Sequence, residues 1–155
     1  MTREILFRGK RVDNGEWIEG YLIRPLFNKT RSYIGYLFPD GDHDIDVAEV
    51  DLSTVGQFTG LTDRNDVRIF EGDIIKWHVH TELSVSGQIA EVCYGKYREA
   101  DSVFVFDDSY SLGFYIRFPG NVCTTICSLD EYKNDFDIIG NIYDNPNLLE
   151  VSESD

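Results

Sequence analysis

The 155-residue chain contains no uninterrupted run of about 18 apolar residues, so no segment reads as a membrane-spanning helix. Its first residues, MTREILFRGKR, lack an apolar block followed by small residues, which argues against an export signal. Cysteine is scarce: Cys93, Cys123 and Cys127 are the only three. An odd count in an unexported chain predicts reduced thiols in a bacterial cytoplasm rather than a disulfide framework. Bases are scarce too, with 14 Lys and Arg against 28 Asp and Glu and a formal charge of −14. Nucleic-acid binding by counterion release needs clustered cations on the protein, so direct DNA binding is not expected.

Signatures of chemistry are also missing. There is no Gly-x-Ser-x-Gly, no phosphate loop and no dinucleotide fingerprint. His43, His78 and His80 do not by themselves make a triad. His78 and His80 share a strand face and invite comparison with a zinc site. However, Cys123-x3-Cys127 in strand-like sequence does not supply the two short paired spacings such a site shows. Asp40, Asp42 and Asp44 imitate the start of a calcium loop. The pattern then fails, with Ile45 where glycine is needed and Asp51 at the twelfth position. The sequence therefore assigns no catalytic, cofactor-binding or metal-binding residue.

What the chain has is core material and bends. Hydrophobic residues make up 42% and aromatics 14%, ample for one compact domain over residues 1–148. Two β parts within it, 1–70 and 71–145, are expected to precede an acidic tail at 149–155. Charge is uneven: residues 1–39 carry seven bases and four acids, and residues 40–51 carry six acids and no base. Residues 52–127 carry six bases and ten acids, and residues 128–155 one base and eight acids.

Strand signals recur at short spacing. Ile5 and Phe7 lie in a first strand, Asp13-Asn14-Gly15 supplies a hairpin turn, and Glu16–Ile23 returns. Tyr33–Phe38 is a further strand, and Asp40–Asp51 reads as a loop entering an exposed strand with Ile45, Val47 and Val50 packing inward. Val55–Asp63, Arg68–Phe70, Ile74–His80, Gln88–Tyr94, Val103–Phe106, Phe114–Phe118, Thr124–Cys127 and Phe136–Tyr143 follow. Ser128-x-x-Glu131 has the form of a capping box and predicts one short helix to about Asn134. Many short strands separated by turn signals predict a mainly β fold, an SH3-type barrel or roll with additional N-terminal hairpin strands and one short C-terminal helix.

Three blocks carry a resemblance. They are Phe7-Arg8-Gly9-Lys10 with Asn14-Gly15-Glu16-Trp17 and Gly20, then Thr54–Leu61 with Asp63 and Glu71-Gly72-Asp73-Ile74, and finally Ile139–Tyr143 with Asn145-Pro146. Together they resemble the YopX-like proteins of bacteriophages and prophages. The family usually has Asn-Gly in the turn after Asp63, whereas this chain has Asn65-Asp66. The resemblance implies a phage or prophage product of SH3-barrel type in the host cytoplasm, and brings no mechanism. Its glycines and asparagines read as turn requirements. Arg8, Trp17, Gln57 and Thr59 do not, which makes them the candidate interaction surface.

The abundant aromatics suggest protein contact, so a non-enzymatic accessory protein that binds another protein or forms a homo-oligomer is the first expectation. One alternative is an acidic mimic of DNA that occupies a host protein's DNA-binding site. The other is a ligand-binding or enzymatic barrel.

Overall fold

The structure, a computed structural model, describes residues 4–37, 45–78, 88–98, 110–126 and 135–150. It divides into two compact units, Met1–Gly60 and Leu61–Asp155.

The first unit is an antiparallel sheet. Its strands are β1 (Phe7–Lys10), β2 (Trp17–Ile23), β3 (Ser32–Leu37), β4 (Ile45–Val50) and β5 (Gly56–Thr62), the last continuing into the second unit. Their order is β4-β3-β2-β1-β5. The β1–β2 turn is built as its sequence suggests. The Arg11 N–H donates to the Glu16 carbonyl at 2.9 Å, and Gly15 has a φ of +72°, the left-handed region that glycine enters cheaply. The sheet then curls. Asp51 N–H donates to the Lys10 carbonyl at 2.8 Å and Val12 N–H to the Glu49 carbonyl at 3.0 Å, bringing the end of β4 onto the end of β1. Curling demands a close approach inside. A Cβ on Gly20 would lie 2.1 Å from the Gly35 carbonyl oxygen, so no side chain fits there. Ile34, Ala48 and Val50 fill the concave face.

One phase of the sequence reading is corrected here. Ile45 and Val47 point outward and are exposed, while Ala48 and Val50 are buried. The segment IDVAEV has apolar residues at both parities, so its own alternation cannot choose a face. The pairing Ile34↔Ala48 and Ser32↔Val50 chooses it, because directly opposed residues share a face. Just before β1, likewise, Leu6 is buried and Ile5 is exposed.

The second unit opens with the hairpin between the end of β5 and β6 (Arg68–Phe70). Then come β7 (Asp73–Trp77), β8 (Ile89–Tyr97), β9 (Ser111–Phe118), β10 (Val122–Thr125) and β11 (Phe136–Asn141), in the antiparallel order β10-β9-β8-β7-β11. The core contains Ile69, Ile75, Trp77, Ala90, Val92, Ile116 and Phe136, with Trp77 and Phe136 edge to face at 5.3 Å. A bulge between Ile138 and Gly140 bends β11.

The expected mainly β barrel or roll is the architecture found, in two antiparallel sheets with a half-barrel. Among the described residues the helical turns are single 3-10 turns at Leu52–Thr54, Pro119–Asn121 and Pro146–Leu148. The expected helix at 128–134, the expected strand Val103–Phe106, the Asp40–Asp44 run, His80, Cys127 and the tail beyond residue 150 lie outside the described residues. No helix among the described residues is long and apolar enough to cross a membrane.

Candidate functional site

The four residues singled out from sequence divide into two pairs. Strand pairing sets Arg8 opposite Glu19 and Lys10 opposite Trp17, so all four share the outer face of the β1–β2 hairpin. The Arg8 guanidinium carbon lies 4.8 Å from the Trp17 ring centroid, and the Lys10 ammonium lies 5.6 Å from it. Such contacts contribute about 0.5–1 kcal/mol at half-exposed sites. Gln57 stands opposite Phe7, on the other face of the sheet, and Thr59 shares its parity. The structure thus unites Arg8 with Trp17, adds Lys10, and separates Gln57 and Thr59 from them.

Two acids of the shared blocks are structural. Asp63 is buried, and its Oδ1 accepts from the Asn65 N–H at 2.9 Å and the Val67 N–H at 3.0 Å. Its Oδ2 accepts from the Ile138 N–H at 3.3 Å, tying the hairpin to β11. The turn after it survives the substitution of Asp66 for glycine. Asp66 has a φ of +60°, its N–H donates to the Asp63 carbonyl, and the Asp63 N–H donates to the Val67 carbonyl. This is a three-residue loop ending in a left-handed residue, in which a short polar side chain replaces glycine. Asp73, also buried, accepts from the Phe70 N–H at 2.7 Å across the Glu71-Gly72 turn.

A cluster that the sequence did not announce gathers on Asp137 of β11. Arg64 donates to both carboxylate oxygens through Nε and Nη2, the latter at 2.6 Å. Asn65 Nδ2 donates to Oδ1 at 3.1 Å, and His78 Nε2 lies 2.7 Å from Oδ2. Burial pushes this carboxyl upward, but the Arg64 hydrogen bond and the charges of Arg64 and His78 outweigh it and hold the group below its ordinary value. A carboxylate with this many donors is a clasp rather than a base. The only sequence signal available was His78 on the polar face of its strand.

The second cluster lies on one face of β8–β10. Arg117 stands opposite both Glu91 and Cys123, and its Nη2 donates to Glu91 Oε2 at 2.6 Å. Cys93, opposite Tyr115, is pushed up to about 12 by burial and then by the nearby Glu91 charge. Burial raises Cys123 as well. Both thiols are free, and at neutral pH they stay protonated, which removes their nucleophilic form. Among the described residues no three His, Cys, Asp or Glu side chains are placed to hold a metal ion.

Further along β8 and β9, Tyr94 and Phe114 meet edge to face at 5.0 Å, and Lys96 sits 4.1 Å from the Tyr110 ring centroid. Tyr94, Tyr110 and Leu112 are exposed there. In the first unit Tyr21, Ile23, Ile45 and Val47 are exposed on neighbouring strands. The described residues thus expose two apolar surfaces.

An all-antiparallel protein with a curled hairpin sheet, glycine-demanding bends and internal carboxylates that hold its turns is the class these features define. The chain belongs to the YopX family, described as YopX protein, which it matches over residues 6–150. Among solved structures it is similar to the crystal structure of protein EF1440 from Enterococcus faecalis, with 20% identity and a TM-score of 0.51. That likeness covers 96% of this chain and 99% of the other, and it shows the fold alone. No curated protein matches the chain.

Proposed function

We propose that this YopX-family protein is a non-enzymatic interaction module of phage or prophage origin, acting in the host cytoplasm by binding protein, itself included. One observation carries the reading. Seven of its exposed large apolar residues fall into two groups: Tyr21, Ile23, Ile45 and Val47 in one unit, Tyr94, Tyr110 and Leu112 in the other. Scattered apolar residues need no partner, whereas contiguous ones mark contact surfaces. The Arg8–Trp17–Lys10 group adds the aromatic and guanidinium pairing common at interface centres.

The acidic DNA-mimic reading ranks second: Asp13, Glu16, Glu19, Asp46, Asp51 and Asp66 are exposed, whereas Asp63 and Asp73 are buried, Asp137 is held by Arg64 and His78, and Glu91 by Arg117. Light scattering behind a sizing column at tens of micromolar tests the proposal. Self-association is the supporting outcome. A clean monomer that also captures no protein from lysogen-bearing cells, while a nucleotide, sugar or metal screen gives a thermal shift, would replace it with the ligand-binding barrel.

A further inference from the structure

Asn14 is the one asparagine in the chain that a glycine follows. Asparagine is a thermolabile residue, and an Asn-Gly pair carries a reaction of its own. The Gly15 amide nitrogen, once deprotonated, attacks the Asn14 side-chain Cγ. A five-membered succinimide forms and ammonia leaves. Water then opens the ring at either carbonyl. One opening gives aspartate; the other gives isoaspartate, with the main chain rerouted through the side chain. Glycine favours the closure because it has no Cβ to hinder the ring and its backbone turns freely. The net change consumes one water and releases one ammonia.

Asn14 and Gly15 are both exposed, so water reaches them. The turn nevertheless restrains each. The Gly15 N–H, which must give up its proton, donates to the Arg11 carbonyl at 2.9 Å, and the Arg11 N–H closes the hairpin on the Glu16 carbonyl at 2.9 Å. The Asn14 carboxamide is held at both ends: Oδ1 accepts from the Glu16 N–H at 3.0 Å, and Nδ2 donates to Glu16 Oε2 at 2.9 Å. The Arg11 side chain is braced on Asp13, through Nε at 2.9 Å and Nη2 at 2.6 Å. Ring closure has to break the Gly15 bond and turn the carboxamide off Glu16. Nothing lies within 4 Å of where a Gly15 Cβ would stand, so hydrogen bonds rather than packing restrain the pair.

We propose that Asn14 is a deamidation site gated by the β1–β2 hairpin: the closed turn protects it and an opened turn releases it. The proposal goes beyond the interaction reading and does not depend on it. Its consequence falls on the hairpin itself. A carboxylate at position 14 replaces the Nδ2 donor and faces Glu16 Oε2, so attraction becomes repulsion. Isoaspartate adds a methylene to the main chain inside the turn that sets the pairings Lys10↔Trp17 and Arg8↔Glu19. Register in a hairpin follows turn type and loop length, so the lengthened turn loosens the strands that bring Arg8 and Lys10 to the Trp17 ring.

The test follows the full chain in mildly alkaline buffer, folded and in guanidinium chloride. Residue 14 is read by peptide mass spectrometry, and isoaspartate is counted by enzymatic methylation. The expected result is conversion of Asn14 to aspartate and isoaspartate in the unfolded chain, and conversion roughly tenfold or more slower in the folded one. Glu16→Ala, which removes the carboxylate grip on Nδ2, should convert faster than wild type in native buffer and at the wild-type rate in denaturant. Glu16→Gln, which keeps an acceptor, should stay close to wild type in both. Far-UV circular dichroism confirms that each variant folds, and the wild-type comparison needs no substitution. Equal rates in the folded and unfolded chain overturn the protection. An Asn14 that stays intact in denaturant overturns the site. A Glu16→Ala rate equal to wild type in native buffer overturns the Glu16 grip as part of the gate.

Discussion

The two units solve the same problem with different materials. The first packs side chains against backbone: beside the buried Leu6 and Phe58, Val50 lies over Gly9 and Ile34 over Gly20, and Gly20 meets the Gly35 backbone where no Cβ fits. The second buries large things, with Phe136, Trp77 and four β-branched residues in one cluster, and it secures its turns with the internal carboxylates Asp63 and Asp73. A sheet that curls tightly has little interior, so backbone approach does the work of side-chain volume. It also leaves its convex face uncovered. That difference explains why the exposed row Tyr21, Ile23, Ile45 and Val47 belongs to the glycine-lined unit.

The contrast can be broken by substitution. Phe136→Ala removes a fully buried ring in contact with Trp77 and should cost roughly 3–5 kcal/mol, read from urea unfolding followed by tryptophan fluorescence. A cost no greater than that of Ile34→Ala would show that the aromatic cluster is not the stronger core. Next comes Asp63→Ala, which orphans the N–H groups of Asn65, Val67 and Ile138 and should cost about 2–4 kcal/mol. Asp63→Asn keeps an acceptor and should recover much of that. Equal losses from both variants would mean the hairpin is held by packing instead. Gly20→Ala should cost about 1–3 kcal/mol because its Cβ meets main chain, which cannot swing aside like a rotamer. An unaffected midpoint would dismiss close approach as the organising feature of the first unit.

The sequence disclosed the bends better than the faces. Gly15 sits in its hairpin as Asp13-Asn14-Gly15 suggested, β6 runs over the three residues expected of it, and Asp66 adopts the left-handed conformation that its position demands. These are local matters, decided by φ and by hydrogen bonds within five residues. The facing of β4 was not legible, since both parities of IDVAEV are apolar and the choice belongs to Ile34 across the sheet. Gly20 against Gly35 was not legible as an approach, only as two glycines in strands. The Arg64–His78–Asp137 clasp joins residues that only the second unit's sheet brings together, and Gln57 parts from Arg8 through a register that no single strand encodes. The mainly β fold, by contrast, needed nothing but alternation and turns.

The smallest effect sharpens the comparison most, because it asks whether the second unit's clasp is electrostatic. Asp137 is held below its ordinary value by Arg64 and His78 against the opposing push of burial. A carboxyl depressed on folding lends stability that is present above its unfolded value, about 3.9, and is lost as pH falls through the lower folded one. Arg64 is partly exposed and water screens it, so the contribution at neutral pH is about 1 kcal/mol. Asp137→Asn should therefore be less stable than wild type at pH 7 by about that amount, and the two should converge below about pH 4 as the wild-type carboxylate protonates. The measurement is a set of urea midpoints from pH 7 to pH 3 for both proteins. A gap that stays constant across the range would mean that Asp137 acts as a hydrogen-bond acceptor whatever its charge. The clasp would then be of one kind with the neutral amide and carbonyl contacts that close the first unit.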